Sequence, residues 1–388
     1  MAFLPFNITR KKKINVIIVG GGYAGLAALT NLLQFAPETS VTLIDPNEHH
    51  LKITHLHETF RYPLADLLIP FTEIGQRFEC RYIQAAVTLD QENLLTCQSS
   101  KQLTVNGEEL DFDYLIVATG CNNSDLENEN NDEILHLSDF TKTSGAELIT
   151  RLLAQNDSTS EQIISVIGGG ATGIQFLFEI HQFLNRIKHK AKLRLIHSAA
   201  HVLNQFPEGF ATYTENRMHE LDIAFYPNAY FRKQQAGKIL LSEKTTEKPF
   251  ELPSNLALLF LGKKQQNIFT ANAFGQIIVD NTHLPNIFTA GDCSYYQSLG
   301  SNAFSAQSAV RKGKLVARNI LRHAGFPGLL EPYLHQDLGY IVNLGASDAV
   351  GWLAAEGNLV TGISALTVKE VVETQYDLLL AGIDTYLV

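Results

Sequence analysis

Two stretches of this chain repeat one order of apolar and polar positions. The β-branched run Ile14-Asn-Val-Ile-Ile-Val19 ends in Gly20-Gly21-Gly22-Tyr23-Ala24-Gly25, and helical spacing of apolar residues follows through about Phe35. A second β-branched run, Ser40-Val-Thr-Leu-Ile44, ends at Asp45. The same order returns later. Ile163-Ile-Ser-Val-Ile167 precedes Gly168-Gly169-Gly170-Ala171-Thr172-Gly173, a helical pattern runs to about Ile187, and Lys192-Leu-Arg-Leu-Ile196 ends at His197. Each copy predicts a strand, a tight turn, a helix and a second strand, hence a right-handed βαβ unit on a parallel sheet.

Between the copies, Phe78 to Val105 alternates apolar and polar residues with turn signals, which predicts antiparallel strands. Asp113 to Gly120 reads as a buried strand ending in a tight turn, and Asn122 to Asp132 as an exposed crossover. A similar shift near Lys263 to Asn267 marks a second boundary. Further on, Ile277 to Val279 and Ile287 to Asp292 predict strands, and Phe304 to Arg322 a helix. The tail from about Pro332 predicts two or three strands around Tyr340 and Trp352, then a helix from about Leu366 to Leu380.

The length, 388 residues, predicts two or three domains. The net charge of −10 disfavours nucleic acid and anionic lipid as partners. Lys11-Lys12-Lys13 reads as a solvated flank. Cys80, Cys97, Cys121 and Cys293 form no CxxC pair or ligand cluster, so neither a zinc site nor a disulfide framework is expected. No signal-peptide layout and no apolar stretch of about 18 residues is found, which sets a cytoplasmic default.

The glycines carry the chemistry. Gly20 permits the turn out of the strand, Gly22 lets backbone approach a diphosphate, and Gly25 lets the helix pack on the sheet. The helix N-terminus then points N–H groups at the phosphates. Asp45, 20 residues after Gly25, is placed to accept both ribose hydroxyls of a dinucleotide. Gly168, Gly170 and Gly173 repeat the turn, but His197 replaces the acid. An imidazole cannot take two hydroxyls as a carboxylate does, and it removes the charge that would repel a 2′-phosphate. Three outcomes stay open for this second site: NADPH, weakly bound NADH, or no nicotinamide.

The order of these motifs, with Asp113 to Gly120 between them and Ile287-Phe-Thr-Ala-Gly-Asp292 after, resembles the two-dinucleotide-binding-domain flavoproteins. Within that superfamily the chain is most similar to type II NADH dehydrogenases and their relatives, the sulfide:quinone and ferroptosis-suppressor-like quinone reductases. The similarity runs from about Ile14 to Tyr376. It implies an α/β fold of two Rossmann-like FAD/NAD(P)-binding domains, the second inserted in the first, plus a small α+β C-terminal interface domain. The expected boundaries are 1–125 and 265–330 for the FAD domain, 126–264 for the NAD(P) domain and 331–388 for the interface domain.

The resemblance further implies FAD as cofactor, NADH or NADPH as co-substrate and a quinone or similar small molecule as acceptor. FAD would be held by Gly20, Gly22, Tyr23, Ala24, Gly25 and Asp45, by Ala118, Thr119 and Gly120, and by Gly291, Asp292 and Ala306. The nicotinamide dinucleotide would lie on Gly168, Gly170, Gly173 and His197. Gln175 and Gln307 are the candidates for orienting donor and acceptor. Two positions depart from the family: Gln175 stands where Glu is usual, and Arg311 replaces a second Gln of the acceptor pocket. Glu179 reads as a structural helix residue.

Asn47 to Leu68 has no cysteine, so the dithiol relay of glutathione-reductase-like enzymes is missing. His49, His50, His55 and His57 lack the companions of a metal site and are expected to pack near FAD; no metal is expected. The apolar stripe Leu366, Val368, Val371, Val372, Tyr376, Leu379 and Leu380 fits a helix packed on its own domain or in a homodimer interface. It also fits peripheral contact with the inner face of a membrane.

Overall fold

The computed structural model describes residues 13–121, 131–155, 162–262 and 268–386. Of the two expected boundary stretches, residues 122–130 of the first and 263–267, the second, lie outside the described residues.

The helices are α1 (Tyr23–Phe35), α2 (Phe71–Arg77), α3 (Gln91–Ser100), α4 (Leu137–Phe140), α5 (Gly145–Gln155), α6 (Ala171–Arg186), α7 (Glu208–Glu220), α8 (Ala306–His323) and α9 (Gly362–Leu380). Around them lie two larger sheets. The first has eight strands. In spatial order they are Ser294–Tyr296, Phe269–Ala271, Gln276–Val279, Thr282–Thr289, Tyr114–Val117, Asn15–Val19, Ser40–Asp45 and Arg81–Gln84. Its last five strands run parallel, with Val16 opposite both Val41 and Tyr114. The second sheet is parallel throughout, in the order Ala224–Tyr226, Ala191–Ile196, Gln162–Ile167, Leu256–Leu259 and Ile134–His136.

Burial explains these strands. Val16 to Val19 and Ile164 to Ile167 are buried on both faces, as parallel strands covered by helices must be. Helix α1 is buried from Ala24 to Leu32, because it runs between the sheet and α8. Gly313 of α8 makes that crossing close: a Cβ there would stand 2.2 Å from the Ala24 carbonyl oxygen.

The stretch from Phe78 to Val105 corrects the expectation of antiparallel strands. Arg81–Gln84 pairs in parallel with Ser40–Asp45, and Gln91–Ser100 is the helix α3. The Asp90 side chain caps α3 by accepting the Asn93 N–H at 2.8 Å, and Leu94 and Cys97 turn inward one helical turn apart. Only Gln102–Val105 and Glu108–Asp111 form an antiparallel pair.

The C-terminal residues form an antiparallel sheet of Gly339–Asn343, Ala349–Leu353 and Ala355–Thr361, followed by α9. This sheet joins the second unit's core through Val342, Leu344, Val350 and Trp352. The far end of α9 joins the first unit's core through Tyr376, Leu379 and Leu380. No helix among the described residues is long and apolar enough to cross a membrane.

Candidate functional site

The first glycine turn is shaped by contacts that exclude side chains. A Cβ on Gly20 would stand 2.2 Å from the Ala118 carbonyl oxygen, and one on Gly25 1.9 Å from the Gly20 oxygen. Gly20 also has φ +107°, which other residues rarely adopt. Gly22 differs, because a Cβ there would meet nothing within 4 Å. The turn therefore presents open backbone at Gly22, where α1 begins. The first helical bond runs from the Leu26 N–H to the Gly22 oxygen, and no side chain caps the helix. The N–H groups of Tyr23, Ala24 and Gly25 have no helical carbonyl to bind.

Asp45 closes this turn. Its Oδ2 accepts the Gly21 N–H at 2.7 Å, and its Oδ1 accepts the backbone and side-chain N–H groups of Asn47. The loops after two neighbouring strands converge on the same place. The Ala290 N–H and the Thr289 hydroxyl both donate to the Val117 carbonyl at 3.0 Å. Gly291 abuts Ala24, and the Cys121 thiol donates to the Asp292 carbonyl at 3.0 Å. Gly20, Ala24, Ala118 and Gly291 are thus brought together, with Thr119, Gly120 and Asp292 on the adjoining turns.

An uncapped helix N-terminus, an open glycine and a carboxylate at the end of the adjacent strand suit a dinucleotide's diphosphate and ribose. These residues fit FAD.

The second turn repeats the first. A Cβ on Gly168 would stand 2.1 Å from the Phe260 oxygen, and one on Gly173 1.9 Å from the Gly168 oxygen. Gly170 caps α6 without a side-chain bond, and the first helical bond is Ile174 N–H to Gly170 oxygen. His197 occupies the place of Asp45, and its Nδ1 accepts the Gly169 N–H at 3.1 Å. Because Nδ1 is the acceptor, Nε2 carries the ring proton. That Nε2 is buried, with the Asn204 side chain beside it. Burial lowers the His197 pKa, Asn204 opposes this and Lys244 adds to it, so the ring is neutral at pH 7.

The carbonyl of each middle glycine is also held. Gly169 accepts the Leu203 N–H at 2.7 Å, and Gly21 faces His50 Nδ1 at 3.0 Å. A carbonyl only accepts, so His50 carries its proton on Nδ1. Its Nε2 therefore accepts the Tyr376 hydroxyl of α9 at 3.0 Å. Burial pushes the His50 pKa down to about 4, which keeps it neutral. Tyr23 packs edge-on to His50 and against Tyr376, and its hydroxyl bonds to Thr54. The structure thus gives Tyr23 a packing partner in the C-terminal helix. Leu203 and Phe260 were missed in the sequence, since each lies outside the glycine patterns, and Tyr376 was read only as part of an apolar stripe.

Gln175 is half-buried in the second turn of α6, and Gln307 is half-buried near the start of α8 beside Ala306. One helical turn on from Gln175, buried Glu179 receives two bonds from Arg61 at 3.1 Å. Burial holds Glu179 above the usual carboxylate range although Arg61 pulls it down. On α8, Arg311 lies over the Tyr386 ring at 5.4 Å, and Lys314 pairs with Asp384 at 2.7 Å. The segment after α9 therefore covers the helix face that continues from Gln307. The neighbouring Lys312 is buried and donates to Ser294 and Asn302; burial pushes its pKa down to about 8.

The histidines divide among different tasks. His50 serves the glycine turn, and His57 is buried with its pKa pushed well down by desolvation. His55 pairs with Glu373 at 3.1 Å. His55, Glu58 and Glu373 bring ligand atoms near enough for a metal. The Lys369 ammonium already sits among them, 3.1 Å from Glu58 and 2.7 Å from Glu373. The cluster ties α9 to the segment Ile53–Phe60.

The profile of the pyridine nucleotide-disulphide oxidoreductase family matches residues 14–313. Type II NADH:quinone oxidoreductases of Staphylococcus aureus are 28% identical over 421 residues, covering 96% of this chain and 97% of theirs. The NDH2 of Plasmodium falciparum in complex with NADH has a TM-score of 0.74 at 16% identity, with 94% of each chain covered. The sulfide:quinone oxidoreductase of Aquifex aeolicus has a TM-score of 0.73 at 16% identity, covering 95% of this chain and 92% of that one. The likeness to these solved structures is one of fold.

Proposed function

The chain belongs to the pyridine nucleotide-disulphide oxidoreductase family, and from that premise we propose an FAD-dependent NAD(P)H oxidoreductase that delivers two electrons to a quinone or similar small acceptor. The observation that carries this reading is the duplicated turn: two uncapped helix N-termini, each behind glycines packed on backbone, in one chain. One unit serves the flavin and the other the nicotinamide. The names of the Staphylococcus aureus relatives support a quinone as acceptor.

When bound, FAD supplies the two-electron chemistry that links the nicotinamide to the acceptor. The chain's part is binding and orientation. The N–H groups opening α1, with Gly20, Gly22, Tyr23, Ala24 and Gly25, hold the diphosphate, and Asp45 takes the ribose. Ala118, Thr119, Gly120, Gly291, Asp292 and Ala306 line the remainder. Gly168, Gly170, Gly173 and His197 hold the nicotinamide dinucleotide. Gln175 orients the donor and Gln307 the acceptor, each by hydrogen bonds and without transferring a proton as an acid. All four cysteines are free thiols, and none lies in Asn47 to Leu68, so no dithiol relay intervenes.

The domain division 1–125 with 265–330, 126–264 and 331–388 is part of this proposal. It is supported by the strands of the eight-stranded sheet, which all fall in the first pair of ranges, while those of the five-stranded sheet fall in 126–264. Peripheral membrane contact would use the outer face of α9, where Ile363 and Val371 are 74% and 59% exposed. A homodimer would use the same face.

The test is direct. The purified protein should be yellow, and anaerobic NADH or NADPH should bleach its flavin absorbance; quinone should then restore the colour. A colourless protein that takes up no added FAD overturns the proposal.

A further inference from the structure

We infer that His197 makes the second nucleotide site selective for a 2′-phosphorylated nicotinamide dinucleotide, NADPH over NADH. This rests on the reading that the second site holds a nicotinamide dinucleotide at all.

The two strand ends differ in the polarity of one side chain. Asp45 and His197 both end the strand after their helix, and both accept the N–H of the middle glycine, at 2.7 and 3.1 Å. They differ in what remains. Asp45 offers carboxylate oxygens, which only accept, so a ribose must donate its hydroxyl protons to them. His197 has spent its lone pair on Gly169, so its remaining polar atom, Nε2–H, only donates. That donor is buried with the Asn204 side chain beside it, so the strand end offers a ribose no acceptor.

Two ligand groups can lie against this strand end. A ribose 2′-hydroxyl can accept one bond but finds no carboxylate for its own proton. A 2′-phosphate only accepts, carries more charge and finds no carboxylate to repel it.

The surroundings favour the second group. The Ala229 N–H donates to the His197 carbonyl at 3.0 Å, the Asn228 N–H to the Ala199 carbonyl at 3.2 Å, and the Lys244 N–H to the Asn228 carbonyl at 2.8 Å. These bonds lay Lys244 beside the strand end, and its side chain is exposed with its charge acting on His197. An exposed, flexible ammonium beside a strand end that lacks a carboxylate suits a phosphate better than a neutral hydroxyl.

Two nearly isosteric substitutions isolate the effect. His197→Asp and His197→Asn each offer an oxygen to the Gly169 N–H, so the turn keeps its bond in both. They differ only in whether the other arm is a charged acceptor or a neutral donor. Calorimetry on the FAD-loaded enzyme would give Kd for NADP+ and NAD+, and steady-state assays would give kcat/KM for NADPH and NADH. The wild type should favour the phosphorylated form by about tenfold or more, the worth of one charge-assisted hydrogen bond. His197→Asn should keep that preference, and His197→Asp should invert it, with flavin content unchanged in both.

A wild type that binds NAD+ as tightly as NADP+, or Asp and Asn variants with the same ratio, overturns the inference. Preferential NADP+ binding without bleaching of the flavin by NADPH would uphold this inference while overturning the proposed oxidoreductase. Absence of binding by either nucleotide overturns both.

Discussion

Asp45 and His197 stand at the same place in two copies of one turn. Around them the backbone agrees closely: Gly25 and Gly173 each lie 1.9 Å, by their would-be Cβ, from the first glycine's oxygen. The side chains do not agree. One turn is closed by a carboxylate and backed by His50 and Tyr376 of the C-terminal helix. The other is closed by a neutral imidazole and backed by the Leu203 amide from its own following loop. The motif's glycines are therefore required by packing, whereas the residue at the next strand end changes charge and polarity between the copies. The first turn is thus backed directly by the far end of the chain and the second by its own following loop.

The sharpest way to break the comparison is through the glycines. Gly25→Val drives a branched side chain into backbone that no rotamer change can move. The protein is expected to purify without flavin. Gly173→Val makes the same clash in the other unit, so flavin absorbance should persist while NADH and NADPH no longer bleach it. Equal loss of flavin in both variants would show that the units are not separable in this way.

The seam between the units comes next in size. Arg61 lies just after the flavin-side segment Ile53–Phe60, and Glu179 is 1% exposed on α6. Arg61→Met strands that buried carboxylate and should destabilise the fold by about 3–5 kcal/mol. Adding Glu179→Gln should recover most of the loss, as read by denaturant unfolding.

Asp45→Asn tests the first turn alone. It keeps the shape, removes the charge from the bond to Gly21 and turns an NH2 group toward the two Asn47 N–H groups that Oδ1 accepts, a loss of at least about 1.5–3 kcal/mol, the worth of a hydrogen bond to an ionised group. Flavin Kd should rise and nicotinamide Kd should not.

The smallest effect concerns the strut from α9. Tyr376→Phe removes the hydroxyl bound to His50 and should weaken flavin retention by about 1 kcal/mol. Acid gives a parallel test. Burial lowers the His50 pKa from 6.5 to about 4, so between those values the unfolded chain binds the extra proton. Native stability contributed by the neutral ring is therefore full above pH 6.5 and is lost as pH falls toward 4. Flavin fluorescence should report release within that window, and His50→Gln should flatten it.

Much of the fold was legible because the informative patterns are contiguous. A β-branched run, three glycines and a helical stripe lie within about 25 residues of each other, and local sterics alone make such a unit. The stretch from Phe78 to Val105 was misread for a related reason. Alternation of apolar residues over a short, mostly exposed segment does not separate a strand from α3, whose two inward residues, Leu94 and Cys97, are its only regular signal. The cap at Asp90, with Asn93 three residues on, was the cue that distinguished them.

The chain's local order alone determined two glycine turns, the acid at one and the imidazole at the other, because those features depend on residues adjacent in the chain. Only the tertiary structure decided what each turn leans on. Tyr376 meets His50 across 326 residues, and Arg61 meets Glu179 across 118. It also decided the tautomer of His197, since the ring's free proton follows from which nitrogen faces Gly169. Such contacts arise when separately formed units pack together, and no local periodicity encodes which surfaces will meet.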